Sequence, residues 1–248
     1  MQYAICNLGT VPLRKEPSHA SEMLSQVLYG EHFRILEERA KWSRIRTAFD
    51  AFEAWIDNKQ FLKVSEEDFH DLDAQAPQLS ADLIEFVTGP GQLIPIPIGA
   101  VLNSLPLLKQ EFSGTRSSGT APKSKLIETA FLYLNAPFMW GGKTPFGIDS
   151  SGFTQMVYRL NGHMLQRNAA DQAKQGESLS FIEESEPGDL AFFDDSEGKI
   201  THVGIIMSDN YIIHADGKVR LDRIDHSGIY NADLRRHTHQ LRVIKKMI

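Results

Sequence analysis

Three residues of this chain have the types and spacing for acid–base chemistry around a nucleophile. Ser150 lies in Asp149-Ser150-Ser151-Gly152, where turn residues give way to an apolar-periodic run, Phe153, Met156, Val157 and Leu160, that Gly162 ends. A side chain in the first turn of a helix sits beside N–H groups without intrahelical partners and at the positive end of the helix dipole. Such a place stabilises an oxyanion and lowers a nucleophile's pKa. His202 opens the apolar stretch HVGIIM, and His214 follows twelve residues later in YIIHA. A hairpin joining those stretches brings the imidazoles close, and a base beside a nucleophile, oriented by a third polar group, is the generalised catalytic triad. Each residue also has a plainer use. Histidines on adjacent strands are commonly structural, and polar residues at a helix start are commonly its cap.

The elements that must position these residues make an α+β domain from residue 123 onward. Ser124 opens a helix with Leu126, Ile127, Ala130, Phe131 and Leu134 on one face, and the helix from Ser150 follows. A polar helix or loop comes next, then strands at 190–193, 202–207, 211–215 and 242–244. Residues 1–65 read as five short strands between turns, hence a small β-barrel. Residues 66–80 are acidic and read as a solvated linker or edge. Residues 81–112 are strand-like around Gly89-Pro90-Gly91, so 66–122 is expected to hold a second, degenerate barrel and a Gly/Ser-rich linker. In Ile94-Pro95-Ile96-Pro97 the prolines cannot donate ladder hydrogen bonds, which places that strand at an edge.

Composition narrows the function. The chain has 248 residues, 42% of them hydrophobic, enough for a sizeable core. Its formal charge of -6 argues against a nucleic-acid surface, and no apolar run reaches the roughly 18 residues of a membrane span. The start, MQYAICNLGTVPLRKEP, shows neither a basic region nor a long apolar core of a signal peptide, so the expected location is cytoplasmic. The single cysteine, Cys6, excludes an internal disulfide and reads as a small core hydrophobe. No His or Cys cluster has metal-ligand spacing, so neither metal nor cofactor is expected. His163, His226, His237 and His239 read as surface residues, and Asp189 as a turn residue.

The segments PFMWGG, GIDSSGF, LQRNAADQ, PGDLAFF, THVGII and YIIHA stand in the order seen in NlpC-type, papain-like cysteine peptidases of peptidoglycan, and the likeness runs from about residue 123 to the C-terminus. The pieces of residues 1–65, with LR, YGE, W-x-x-I and A-W-I, resemble a bacterial SH3-like domain. The resemblance implies a papain-like catalytic domain preceded by one or two SH3-like barrels. It places Ser150 at the nucleophile position, His202 as general base and His214 as the group that orients it.

The family's motif is D-C-S-G, and here Ser replaces the cysteine, so the expectation is an inactivated form of the peptidase. Phe138 stands where the family commonly has Tyr, which removes a phenol donor near the oxyanion. The combination of domains looks most like the γ-D-glutamyl-L-diamino-acid endopeptidases, which act on murein peptides with a free N-terminal L-Ala. That likeness implies that Asp149 pairs with the substrate's ammonium, with Ser151 bonding nearby. Trp140 would wall the pocket, and Tyr29, in the YGE turn, would close the amine end of the groove. Arg167 and Gln172 would be structural. The alternatives are a non-catalytic wall-peptide binding module and, more remotely, an acyltransferase on the same scaffold.

Overall fold

Period-two alternation in the first 64 residues builds one antiparallel sheet. The computed structural model describes residues 2–248 and divides them into two units. In the first, β1 (Gln2–Ile5), β2 (Thr10–Arg14), β3 (Met23–Leu28), β4 (His32–Glu38), β5 (Trp42–Thr47), β6 (Glu53–Asp57) and β7 (Leu62–Val64) pair in the order β3-β2-β6-β5-β4-β1-β7. Val11 and Leu13, Phe33 and Ile35, and Ala54 and Ile56 turn to one side, while Arg44 and Arg46 remain exposed. Side chains from six of these strands thus meet in a single core, as a small barrel requires. Cys6 lies inside it, and burial pushes its thiol up to about 12, which leaves it inert.

The acidic stretch after β7 is a helix rather than a linker: α1 (Glu66–Asp73). Its cap explains why. The Ser65 hydroxyl accepts from the Asp68 amide at 3.0 Å, and the Asp68 carboxylate accepts in return from the Ser65 amide at 3.3 Å. Glu66, Glu67 and Asp68 complement the helix dipole, while Phe69 and Leu72 are buried.

Where a second, degenerate barrel is expected, five short strands form two small open sheets among the described residues. β8 (Gln78–Ser80), β9 (Ile84–Gly89), β10 (Gln92–Pro97), α2 (Leu105–Leu108), β11 (Glu111–Phe112) and β12 (Arg116–Ser118) give a three-stranded sheet, β10-β9-β11, and a separate ribbon, β12-β8. The proline-bearing β10 does lie at an edge. β12 occupies part of the segment expected to be a flexible linker. The core here is Val87, Ile96, Ala100, Leu102, Leu105 and Phe112, with Tyr29 contributed by the barrel segment, so residues 2–120 cluster as one unit.

Trp140–Pro145 also belongs to this first unit and includes β13 (Lys143–Thr144). The Lys143 amide donates to Gln26 at 2.7 Å, and Lys143 faces the buried Glu31 at 3.4 Å. Gly141, at φ +76, is needed because a Cβ there would lie 2.6 Å from the Met23 carbonyl oxygen.

The second unit holds α3 (Lys125–Phe131), β14 (Gly147–Ile148), α4 (Ser150–Leu160), α5 (Ala169–Gln172) and strands β15 (Glu177–Leu179), β16 (Leu190–Asp194), β17 (Ile200–Ile206), β18 (Tyr211–Asp216), β19 (Lys218–Asp225), β20 (Gly228–Asn231) and β21 (Arg236–Lys246). The sheet runs β15-β21-β16-β17-β18-β19-β20, and β20 pairs again with β21, so six strands close into an antiparallel ring. α4 is buried along its whole length and packs on β17 and β18. The face of α3 is narrower than its sequence suggests: Leu126 and Ala130 are buried, whereas Phe131 and Leu134 are exposed.

Candidate active site

Local sequence places Ser150 at the first position of α4. Asp149 is in extended conformation as N-cap, and its Oδ1 accepts from the Gly152 amide at 2.6 Å. Asp149 is also the partner of a buried cation. Arg167 spans its two oxygens, Nη1 to Oδ1 at 3.0 Å and Nη2 to Oδ2 at 2.6 Å, and gives a further bond to the Ser151 hydroxyl at 3.0 Å. Ser151 in turn donates to Asp149 at 3.2 Å. Gln172 braces the same turn, donating to the Ser151 carbonyl at 2.9 Å and accepting from Thr154 at 2.7 Å. The start of α4 is thus held by an ion pair and an amide lying beneath it, consistent with structural parts for Arg167 and Gln172.

The histidines meet on the closed sheet. β17 and β18 are antiparallel with Gly204 opposite His214, so His202, Gly204 and His214 share one face. Glycine is required at 204, since a Cβ there would meet Ile212 Cδ1 at 2.7 Å and His214 Cβ at 2.9 Å. His202 Nε2 lies 2.9 Å from His214 Nδ1, and His214 Nε2 lies 3.0 Å from Asp222 Oδ2. Asp222 was invisible as a site residue because β19, with its mixed polar and apolar residues, carries no motif. β18 pairs with β19 so that Ile212 faces Asp222, which sets the carboxylate diagonally beside His214. Arg220 holds it from the other side, Nε to Oδ2 at 2.6 Å and Nη2 to Oδ1 at 3.0 Å, and reaches Asp233 at 2.9 Å.

Two histidines expected at the surface are not there. His239 stacks on His202, ring centroids 4.1 Å apart and planes 28° from parallel. The bulge between Ile229 and Tyr230, which shifts the pairing of β20 with β21, brings it to that place. His163 is half-buried against Tyr158. His226 and His237 are exposed, as expected. Burial, then the positive charge that His214 and His239 can carry, holds His202 well below the ordinary histidine value. At neutral pH it is a neutral imidazole able to accept a proton. Burial likewise lowers His239. Asp222 stays below the usual carboxylate range: burial pushes it up, but the bonds from His214 and Arg220 outweigh that.

The remaining expectations fare unevenly. Ser150 is buried at the head of the helix packed on β17, yet no hydrogen bond joins it to His202 among the described residues. Catalytic contacts are often long in unliganded sites. Tyr29 does not face a groove. It is wholly buried in the core around Val87 and Phe112, donates to Gln110 at 2.5 Å, and burial raises its phenol to about 12. Its apolar neighbours, rather than a ligand, account for an aromatic at that turn. Trp140 is not core either; its ring is largely exposed and its Nε1 donates to Glu22 at 2.9 Å. Phe138 is exposed and offers no side-chain donor. Asp189 holds its turn, accepting from the Glu186 amide at 2.8 Å, and pairs with Lys123 at 2.7 Å.

Residues 135–240 match the NlpC/P60 family, and residues 13–61 match the bacterial dipeptidyl-peptidase Sh3 domain. The chain therefore carries an NlpC/P60 domain preceded by an SH3-like domain, and it is homologous to gamma-D-glutamyl-L-lysine dipeptidyl-peptidase and dipeptidyl-peptidase 6. It is 37% identical over 103 residues to the gamma-D-glutamyl-L-lysine dipeptidyl-peptidase of Bacillus subtilis, matching 41% of this chain and 34% of that one. It is 28% identical over 261 residues to dipeptidyl-peptidase 6 of Lysinibacillus sphaericus, matching 90% of this chain and 92% of that one. The chain thus spans about a third of the length of the Bacillus relative and nearly all of the Lysinibacillus one. Among solved structures, an NlpC/P60 family protein from Bacillus cereus shares the fold with a TM-score of 0.81 at 16% identity, over 99% of each chain.

Proposed function

We propose that this chain is a cysteine-peptidase scaffold for the γ-D-Glu–diamino acid bond of murein peptides with a free N-terminal L-Ala. Ser150 occupies its nucleophile position and leaves it inactive as it stands. The observation that carries this reading is the His202–His214–Asp222 chain of hydrogen bonds, whose two histidines lie on the strands against which α4 packs. A neutral, buried base fits proton abstraction from a thiol. A serine hydroxyl holds its proton far more tightly than a thiol, so the same base cannot ionise it to the same extent. With Phe138 lacking a hydroxyl, oxyanion stabilisation falls to backbone N–H groups at the start of α4. Recognition of the substrate's amine by Asp149 belongs to the same proposal, with the qualification that Arg167 already neutralises much of that carboxylate's charge. A cytoplasmic place of action, in the recycling of wall peptides, is part of it too.

The test is Ser150→Cys offered L-Ala-γ-D-Glu-L-Lys and its diaminopimelate counterpart. Release of L-Ala-γ-D-Glu at neutral pH is expected; its absence from both peptides sinks the hydrolase reading. Acetylating the alanine amine should abolish turnover, and equal rates would remove Asp149 from amine recognition. Ser150 itself favours a second reading, a wall-peptide binding module that does no chemistry. Tight binding of the peptide by both the parent and Ser150→Cys, with cleavage by neither, selects it.

A further inference from the structure

Asp222 and Arg220 lie outside every motif that marks the site, yet they end the chain of hydrogen bonds on which His202 depends. We infer that Asp222, clamped by Arg220, is a positioning residue that assigns the proton on each nitrogen of the His202–His214 pair and leaves Nδ1 of His202 as the basic atom.

The assignment follows from the inventory of donors. Asp222 is buried, and its oxygens receive Arg220 Nε at 2.6 Å and Arg220 Nη2 at 3.0 Å. A guanidinium only donates, so the carboxylate facing it is ionised and only accepts. The 3.0 Å contact between Asp222 Oδ2 and His214 Nε2 therefore needs the proton on Nε2. A neutral imidazole has one N–H, so Nδ1 of His214 is then an acceptor. The 2.9 Å contact with His202 must be donated by His202 Nε2, and the proton of neutral His202 is used there. Nδ1 is the ring nitrogen left with a lone pair. When His202 takes up a second proton, the cation donates along a line ending in a negative carboxylate, while Asp233, 2.9 Å from Arg220, holds the clamp in place. The titratable and charged groups facing this relay are His202 on β17, His214 and Asp216 on β18, Arg220 and Asp222 on β19, and His239 on β21.

This is a role for a residue that touches no reacting atom, and it rests on the proposed function only for its catalytic consequence. The experiment is 15N NMR of the histidine rings, first in the parent protein and then in Asp222→Ala and Asp222→Asn. In the parent near pH 8, both His202 and His214 are expected as Nε2–H tautomers. Asp222→Ala removes the acceptor and leaves the donor Arg220 beside His214 Nε2, so His214 and then His202 should shift toward Nδ1–H. Asp222→Asn keeps an acceptor for both neighbours and should retain the parent tautomers. In the Ser150→Cys background, Asp222→Ala should lower kcat by about 10²–10⁴-fold, the usual worth of a positioned acid–base group, with KM little changed and Asn intermediate. A parent His214 protonated on Nδ1 overturns the inference without any variant being made, as do unchanged tautomers in Asp222→Ala. The tautomers are read without peptide, so failure of Ser150→Cys to cleave would remove the hydrolase reading and leave this result standing.

Discussion

Arg167→Met removes one half of a buried ion pair and leaves the other stranded. The Arg167 side chain is 2% exposed and that of Asp149 11%, with both arms of the guanidinium bonded to the carboxylate at 3.0 and 2.6 Å. Loss of one partner from such a pair costs about 3–5 kcal/mol, because the remaining charge stays desolvated. The cap that Asp149 gives α4 is worth only about 0.5–2 kcal/mol, so a loss above that range exceeds what a weakened cap accounts for. Methionine keeps much of the arginine's apolar length, so the effect is electrostatic rather than a cavity. The double variant Asp149→Asn/Arg167→Met removes both charges and keeps a capping oxygen, and it should recover most of the loss. Urea unfolding followed by far-UV circular dichroism gives the three stabilities, with slopes checked for constancy. Amide exchange at Gly152, whose N–H the carboxylate accepts, localises the effect. A cost below about 1 kcal/mol for Arg167→Met, or a double variant no more stable than that single one, refutes the account of how this helix start is held.

Other expectations follow from single contacts. His202 is held well below its ordinary 6.5, so under mildly acid conditions the unfolded chain binds the extra proton and stability falls as pH drops below that value. The urea midpoint should decline from pH 7.5 to 5, and His202→Gln should flatten that decline; an identical slope would contradict a neutral buried imidazole. Gly204→Ala forces a methyl against Ile212 and His214 and should cost about 1–3 kcal/mol by thermal unfolding while disturbing the His202–His214 bond in NMR; a neutral effect would mean the strands give way freely. Tyr29→Phe removes the buried bond to Gln110 and should cost about 1–2 kcal/mol without changing the KM of Ser150→Cys; a changed KM would return Tyr29 to substrate recognition.

The relay histidines were legible because period two and an apolar background mark β17 and β18 as adjacent buried strands, in which a histidine is conspicuous. Ser150 was legible because an aspartate, small residues and a glycine turn before an apolar run spell a helix start. Asp222 was not, since its importance comes from strand register, and one residue of slip would turn it away from His214. His239 was hidden for a related reason: a bulge decides which way it points. A turn tyrosine such as Tyr29 looks the same in sequence whether it meets a ligand or, as here, a core built from residues 87–112. The acidic stretch misled by composition alone, although Ser65 three residues before Asp68 was already a capping signal.

What residue 150 does to the relay is a matter of charge as much as of nucleophilicity. His202 lies buried beside two further imidazoles, and each proton it gains must be placed where His214 and His239 already disfavour a cation. Asp222 offers relief, but its negative charge is shared with Arg220 and reaches His202 only through His214. An anion at position 150 would change that balance. Two unit charges about 4 Å apart interact by about 4 kcal/mol at the effective dielectric of a protein surface, and an anion close to the ring would raise the pKa of the imidazole. A thiol with an intrinsic pKa near 8.5 can supply such an anion at neutral pH, while a serine hydroxyl cannot. On the reading proposed above, the serine therefore withholds two things at once: the attacking atom and the counter-charge that lets a buried imidazole become a cation.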